Sequence, residues 1–420
     1  MLLDFNFNGY KFFNDSNISF NADARISRLM SNSQYLDGKN VLKTIAIYGA
    51  NNSGKTNIVT LFSLLKDILN GSDSFYLNCP IFSDPEITTI SITFNNNKGQ
   101  WYNYVFAYNN TTRQFEKEEL YNIFYYKGGN YLKKAIFIKD TKNKILQTHG
   151  DDKSDYLSVI PSRLPFLYSV QLESGVFSSL KEYLDEFREL ADSIEIVNMY
   201  NIPYDNILQS MKGTNERKIQ FIKEFVKNAD VSITDFEFDK NAEVKIDMNQ
   251  INEKVLNDYN LIVDNLKLAT TYNGKKVPSL LFDSTGTKKI EAIAAYIYDA
   301  LTQGKILIVD EIDSGLHFKL TRALISIFNN LINKKSQLIF ITHDLMLINS
   351  KLLMRKDQIY FVIRDNNHSD LICMRNAPVN NGGPRDVTEI VKKYNRGEFG
   401  NIPNPSFIKT ITEVLTNGPK

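Results

Sequence analysis

Cysteine is nearly missing from this chain of 420 residues: Cys79 and Cys373 are the only two, far apart and in no metal-type spacing. A disulfide framework finds no support in them, and a reducing compartment is the expectation. No apolar run approaches the length that spans a bilayer, so no membrane partner is expected. Met1-Leu2-Leu3-Asp4-Phe5 lacks the charged and apolar regions of a signal peptide, which adds to the expectation of a cytoplasmic location. Charge of one sign is also missing. Lys and Arg number 49 against 48 Asp and Glu, so no global basic field points to nucleic acid, although a local patch would be invisible in a total. Asparagine is plentiful, as in Asn95-Asn96-Asn97, but apolar periodicity persists around it and argues against a low-complexity segment. With 43% hydrophobic and 23% charged residues the composition is that of a globular protein able to hold a large core or two to three lobes.

Against this plain background stands Gly49-Ala50-Asn51-Asn52-Ser53-Gly54-Lys55-Thr56, with the spacing of a phosphate-binding P-loop, G-x-x-x-x-G-K-[ST]. Thr44 to Tyr48 reads as a buried strand before it, and Asn57 to Leu69 as a helix with one apolar face after it. Glycines let such a loop wrap phosphate oxygens and aim backbone N–H groups at them, including those of Asn51, Asn52 and Ser53. The helix N-terminus adds partial positive charge at the same point. Lys55 can reach the β- and γ-phosphates of ATP, and the Thr56 hydroxyl can bind Mg²⁺.

Leu2 to Phe20 reads as one or two strands. Ile87 to Phe94, Tyr102 to Tyr108 and Ala135 to Ile138 read as further strands joined by Asn-rich turns, which suggests an antiparallel lobe. From Val170 to about Ala229 the spacing turns helical. A hairpin there has arms of at most ~30 residues, or ~45 Å, without sustained heptads, so a long coiled coil is excluded. Ile233 to Phe238 and Leu261 to Thr270 read as strands again. After Lys305 the order is strand, helix, strand: Ile306 to Val309, Leu316 to Leu331, Gln337 to Ile341, then Ile359 to Ile363. That order means a parallel sheet, split in sequence from the strand that carries the P-loop. The expected division is 1–140, the first part of the nucleotide core with the antiparallel lobe; 141–260, a mainly helical insertion; 261–375, the second part of the core; and 376–420, a helical tail. No internal repeat is present.

Ile306-Leu307-Ile308-Val309-Asp310-Glu311 is a buried strand ending in two acids, where α/β sheets bind ligands. Beside a P-loop, Asp310 would hold Mg²⁺ and Glu311 would polarise the attacking water. Leu338 to Thr342 is a second buried strand and ends in His343, a candidate sensor of the γ-phosphate.

In order and spacing these motifs resemble the ATP-binding-cassette class of P-loop ATPases, in its SMC, RecF and OLD-like branch. Asn57 after Gly-Lys-Thr is typical of that branch. Asp283-Ser284-Thr285-Gly286-Thr287-Lys288-Lys289, ahead of a helix Ile290 to Leu301, resembles its signature loop, with Ser284, Gly286 and Thr287 as the phosphate-facing residues; read alone, Ser-Thr-Gly-Thr is an ordinary helix cap. Ser314-Gly315-Leu316-His317 falls where the family has its D-loop, with histidine in place of aspartate. No Q-loop glutamine can be placed in Ser72 to Glu86. Gly9-Tyr10-Lys11-Phe12-Phe13 resembles the branch's N-terminal strand pair and leaves Lys11 open between a nucleotide neighbour and a surface lysine. Tyr394 to Pro403 resembles the ending of a bacterial subgroup of AAA-family ATP-binding proteins found in abortive-infection and other anti-phage operons.

The resemblance implies an ABC-type core with a mixed sheet, ATP and Mg²⁺ as cofactors, and a homodimer or higher oligomer in which each ATP lies between one P-loop and the partner's signature loop. It also implies a nucleotide-gated switch in anti-phage defence that controls a separate toxin or nuclease. The alternative is a DNA-repair or chromosome-maintenance ATPase, with DNA as partner. Pairs such as Lys275-Lys276 and Lys288-Lys289 permit DNA binding without showing it, being usually solvated surface. A built-in nuclease is disfavoured because no further acidic set follows His343, and a GTPase because no N-K-x-D motif is present.

Overall fold

Alternation along one short strand organises the molecule. The structure, a computed structural model, describes residues 1–73, 77, 86–126, 130–242, 263–349, 352–365, 367–376, 396 and 408. In chain order the elements that matter below are β1 (Leu2–Tyr10), β2 (Phe13–Ser19), the hairpin β3 (Ser33–Leu36) and β4 (Lys39–Leu42), β5 (Thr44–Gly49) and α1 (Lys55–Leu69). All of β5 is buried. Its Ile45 and Ile47 point into one core with Ile58, Leu61, Phe62 and Leu65 of α1, whereas Ala46 and Tyr48 point into a second core on the opposite face. A strand covered on both sides reads as a continuous apolar run, which is what Thr-Ile-Ala-Ile-Tyr is.

The antiparallel half of the sheet follows: β6 (Ile87–Asn95), β7 (Trp101–Asn109), β8 (Gln114–Tyr125), β9 (Tyr131–Asp140), β10 (Ile145–Thr148) and β11 (Asp151–Asp152). Next come α2 (Phe166–Ser169), α3 (Lys181–Ser193), β12 (Ile194–Asn198), α4 (Asp205–Lys212) and α5 (Glu216–Ala229). A small sheet of β13 (Ile233–Phe238), β14 (Leu268–Tyr272) and β15 (Lys275–Pro278) leads into α6 (Ser279–Phe282) and the long α7 (Thr285–Gln303). Then β16 (Ile306–Asp310), α8 (Phe318–Phe328), β17 (Gln337–Ile341), α9 (Leu345–Asn349), β18 (Ile359–Asp365) and β19 (His368–Cys373) complete the described part.

Among the described residues the main sheet has 14 strands in the order β11-β10-β9-β8-β7-β6-β1-β2-β19-β18-β5-β17-β16-β12. From β11 to β2 neighbours run antiparallel, while β18, β5, β17, β16 and β12 run parallel. The halves join at a single parallel pair, Ser369 with Phe13. This is the expected α/β class, a P-loop core with a mixed sheet and an antiparallel lobe. α7 lies between the second core and a third cluster formed with α4, α5 and the small sheet, through Ala294 and Ala295.

Several elements differ from the sequence reading. β8 and β19 have no counterpart in it. Residues 170–229 are no helical hairpin, because α3 ends at Ser193 and the next five residues, Ile194–Asn198, pair with β16 as an edge strand of the parallel half. Within 141–260, expected as mainly helical, β10 and β11 prolong the antiparallel half. The expected tail helices after Pro384, the Tyr394 to Pro403 ending apart from Arg396, and most of the segment searched for a Q-loop lie outside the described residues. No helix among the described residues is long and apolar enough to cross a membrane.

Candidate nucleotide site

The P-loop leaves the carboxyl end of β5, between β18 and β17 in the parallel half, and leans on the join between the two halves. Gly54 begins α1 with φ of 109° and no side-chain cap, so the first N–H groups of the helix face outward without one. A Cβ at Gly54 would stand 3.2 Å from the Phe13 ring, and one at Gly49 would stand 2.6 Å from Ser53 Oγ and 2.8 Å from the Val362 carbonyl. Gly49 is there because the loop passes too close to its neighbours for a side chain, and Gly54 because its φ is one that L side chains rarely adopt. Outside the motif, Ser369 Oγ donates to the Ser53 carbonyl at 2.7 Å and Arg364 donates to the Asn52 carbonyl at 2.9 Å, stacking on Phe12. Asn52 itself is left-handed, with φ of 62°.

Lys55 Nζ donates to the carbonyls of Gly49 at 2.8 Å and Ala50 at 2.7 Å. Burial pulls its pKa down to about 8, against the attraction of Asp310, Glu311 and Asp313. The Thr56 hydroxyl lies against the Asp310 carboxylate, whose pKa is raised by burial and then by Glu311. Asp310 Oδ1 is buried and has no hydrogen-bond partner. These residues fit a magnesium-bound nucleotide: an orphaned carboxylate oxygen beside a hydroxyl, a cation waiting on backbone carbonyls and an uncapped helix start. Among the described residues no group of three or more His, Cys, Asp or Glu is placed to hold a metal, so the other ligands would be phosphate and water.

Glu311 follows β16 with φ of 54°, a conformation that costs a non-glycine residue about 1 kcal/mol. The turn is pinned by Ser314 N–H to the Glu311 carbonyl at 2.8 Å and by Ile312 N–H to the Ile341 carbonyl at 3.0 Å. His343 follows β17; its pKa is lowered by burial and by Lys55, with Asp313 and Glu311 opposing. Thus β5, β16 and β17 bring Lys55, Thr56, Asp310, Glu311 and His343 to one end of the sheet, as the motif spacing implies.

The structure also draws in one residue that the motifs do not name, one that they leave open and one that they present as surface. Asp313 acts on Lys55 and His343, and its Oδ1 is buried without a partner. Its signal was available, three residues after Asp310. Lys11 donates to Asn57 Oδ1 at 3.0 Å, which settles its place beside the P-loop helix. Lys289, read with Lys288 as solvated surface, is instead buried and donates to the Ser314 carbonyl at 2.9 Å and hydroxyl at 3.0 Å.

Ser284 caps α7, its Oγ accepting from Thr287 N–H at 3.1 Å and lying 2.9 Å from Thr287 Oγ1. Thr287 Oγ1 donates to Asp230 at 3.4 Å, and a Cβ on Gly286 would stand 2.9 Å from the Gly315 carbonyl. The segments that resemble a signature loop and a D-loop therefore pack on each other, with His317 capping α8 through Lys319 N–H at 3.3 Å. The hydrogen bonds of Ser284 and Thr287 run to each other and to Asp230, none to the P-loop. Around this loop Val231 is fully exposed, Leu281 is 66% and Phe282 65% exposed.

Residues 45–349 match a family model described as "AAA domain, putative AbiEii toxin, Type IV TA system". No curated protein matches the sequence. Among solved structures, the SMC head domain from Thermotoga maritima superposes with a TM-score of 0.43 at 16% identity, over 89% of this chain and 98% of that one. The SMC head bound to the C-winged helix domain of ScpA gives a TM-score of 0.44 at 16% identity, over 88% of this chain and 97% of that one.

Proposed function

Because the chain belongs to the family of AAA domains described as putative AbiEii toxins of type IV TA systems, we propose that it binds and hydrolyses ATP and uses the nucleotide as a switch on its own association. The convergence of Lys55, Asp310, Glu311 and His343 at the ends of three adjacent strands carries this reading. The uncapped N–H groups of α1 and Lys55 would hold the phosphates. Thr56 and Asp310 would hold Mg²⁺, which supplies positive charge to the phosphate oxygens. Glu311, near enough to act on Lys55 and His343, would take a proton from the attacking water, and His343 would hold that water and the γ-phosphate.

The reading is tested by ATP turnover and ATP binding in the wild type, Lys55→Ala and Glu311→Gln. Lys55→Ala should lose binding, and Glu311→Gln should bind without turning over. A wild type that does not hydrolyse Mg-ATP, or a Glu311→Gln variant as active as the wild type, would falsify it.

In this reading the partner's Ser284, Gly286 and Thr287 complete each site in a homodimer, because these residues make their hydrogen bonds away from their own P-loop and are ringed by exposed apolar side chains. The biological setting is defence of the abortive-infection kind. The family description supports it through the words toxin and TA system alone. A separate effector under nucleotide control is the form the motifs favour. The description places the toxin label on proteins like this chain, so expression of the chain alone and with its neighbouring gene, each as wild type and Lys55→Ala, separates the two arrangements. Growth arrest by the chain alone that needs Lys55 would show that no separate effector is required.

A further inference from the structure

The signature helix α7 is anchored by two acids in contact. Asp283 immediately precedes its cap and is 5% exposed, and Glu291, on its second turn, is fully buried. Asp283 Oδ1 accepts from the Tyr272 hydroxyl at 2.7 Å and Oδ2 accepts from the Thr270 hydroxyl, both on β14. Glu291 Oε2 accepts from the Tyr204 hydroxyl, just before α4, at 2.8 Å. Glu291 Oε1 is sealed from water and finds no donor. The Asp283 carboxylate and the Ser279 hydroxyl of α6 lie against the Glu291 carboxyl, and the Ser279 hydroxyl makes no hydrogen bond of proper geometry.

A buried carboxylate oxygen with no donor, set against a second carboxylate, is strongly unfavourable if both acids are ionised. A proton on Oε1 removes the cost by turning that contact into a charge-assisted hydrogen bond. We propose that Asp283 and Glu291 share one proton, with Glu291 donating to Asp283, and that this bridge fixes the first turns of α7 and hence the pose of Ser284, Gly286 and Thr287. The two acids are positioning residues for the phosphate-facing loop, and the pose of that loop depends on their proton. This rests on the reading of that loop as phosphate-facing. Burial, then Asp283, raises the Glu291 pKa well above the carboxylate range. The titratable groups facing the pair are Tyr204 before α4 and Tyr272 on β14, which in turn faces Asp230 after α5, and among the described residues no lysine or arginine acts on Glu291.

The sign follows from linkage. The unfolded chain releases the Glu291 proton near pH ~4.3, whereas the folded chain keeps it, so folding stability falls as pH rises above that value. Glu291→Gln has no proton to release and can still donate an N–H to Asp283. Melting temperatures of the full chain from pH 5.5 to 9 should therefore move in the variant's favour by about 3 °C or more with rising pH. A difference that stays constant with pH overturns the shared proton. Hydrogen exchange at the 285–290 amides reads the pose without nucleotide: protection should survive Glu291→Gln and drop in Asp283→Ala, and equal protection in all three overturns the positioning role. Both readouts are independent of hydrolysis, so an inactive wild type would remove the functional reading and leave this inference to be decided by melting and exchange. In an active enzyme, Glu291→Leu should lower kcat at least tenfold with ATP affinity unchanged, and Glu291→Gln should restore it; unchanged kcat in the leucine variant overturns the link to the signature loop.

Discussion

Lys55 waits on two backbone carbonyls and is buried enough that its pKa drops to about 8, even with three acids nearby. Phosphate oxygens add negative charge and pull that pKa back up, so binding takes up a proton wherever the free lysine is neutral. Below about pH 8 the lysine is already charged and affinity should be flat; above it, each pH unit costs up to about 1.4 kcal/mol, or tenfold. Calorimetric titration of ATP at pH 7 and 9.5 should show Kd rising by more than about tenfold, with proton uptake in the alkaline run; a flat Kd would mean Lys55 does not meet the phosphates. Burial lowers the His343 pKa as well, with a different consequence. Below its ordinary value the ring is neutral at pH 7 and can both donate and accept. His343→Ala should lower kcat by about 10²-fold with ATP affinity kept within about twofold, read by steady-state turnover beside equilibrium binding. A matching loss of affinity would make His343 a binding residue instead. Residue types and spacing disclose these side chains because phosphate chemistry demands them in order. They cannot disclose Lys289, which spacing presents as half of a surface pair and the fold buries against Ser314.

The elements legible in the sequence are those whose periodicity agrees with their surroundings. β5, β16 and β17 are short apolar runs covered on both faces and read as such, and β17 has the bounds its apolar run implies, Gln337 to Ile341. β12 is not legible, because a five-residue edge strand directly after an amphipathic helix continues its apolar spacing without a turn residue between them. β8 escapes for a different reason: Lys117, Glu118 and Glu119 break its apolar pattern, and the fold buries Glu118 by pairing it with the fully buried Lys139 at 3.2 Å. Contact between elements cannot be read from one sequence at all, and the packing of α7 on the turn after β16 is such a contact. Gly286 faces the Gly315 carbonyl so closely that Gly286→Ala must push the two segments apart by several tenths of an ångström. That variant should bind ATP as the wild type does and lose at least about tenfold in kcat, because the P-loop is untouched and the signature loop is displaced. Full turnover in Gly286→Ala would show that the close approach serves packing alone.

At the scale of the molecule, the P-loop and the Ser284–Thr287 loop, proposed as the signature loop, belong to different neighbourhoods. The first sits at the join between the two halves of the sheet, the second on a helix held by the small sheet, Asp230 and the D-loop turn. A chain that completes its own site would have to bring these two loops together, whereas a second copy needs only to dock. Leu281, Phe282 and Val231 lie exposed beside the signature loop, where a docking copy would cover them. Blocking hydrolysis with Glu311→Gln should therefore double the mass seen by light scattering once Mg-ATP is added, and withdrawing ATP should return the monomer. Phe282→Asp placed in that background buries a charge against the partner, which costs enough to weaken association at least about tenfold while ATP affinity in the monomer stays unchanged. Exposure of Phe282 makes a folding defect an unsuitable explanation for such a result, and equal melting temperatures would confirm this. If Glu311→Gln saturated with ATP remains monomeric at every concentration tested, the nucleotide does not act as interfacial glue. If it dimerises and Phe282→Asp changes nothing, the dimer forms through a face that leaves the Leu281–Phe282 edge in water, and the partner's Ser284 and Thr287 cannot be what completes the site.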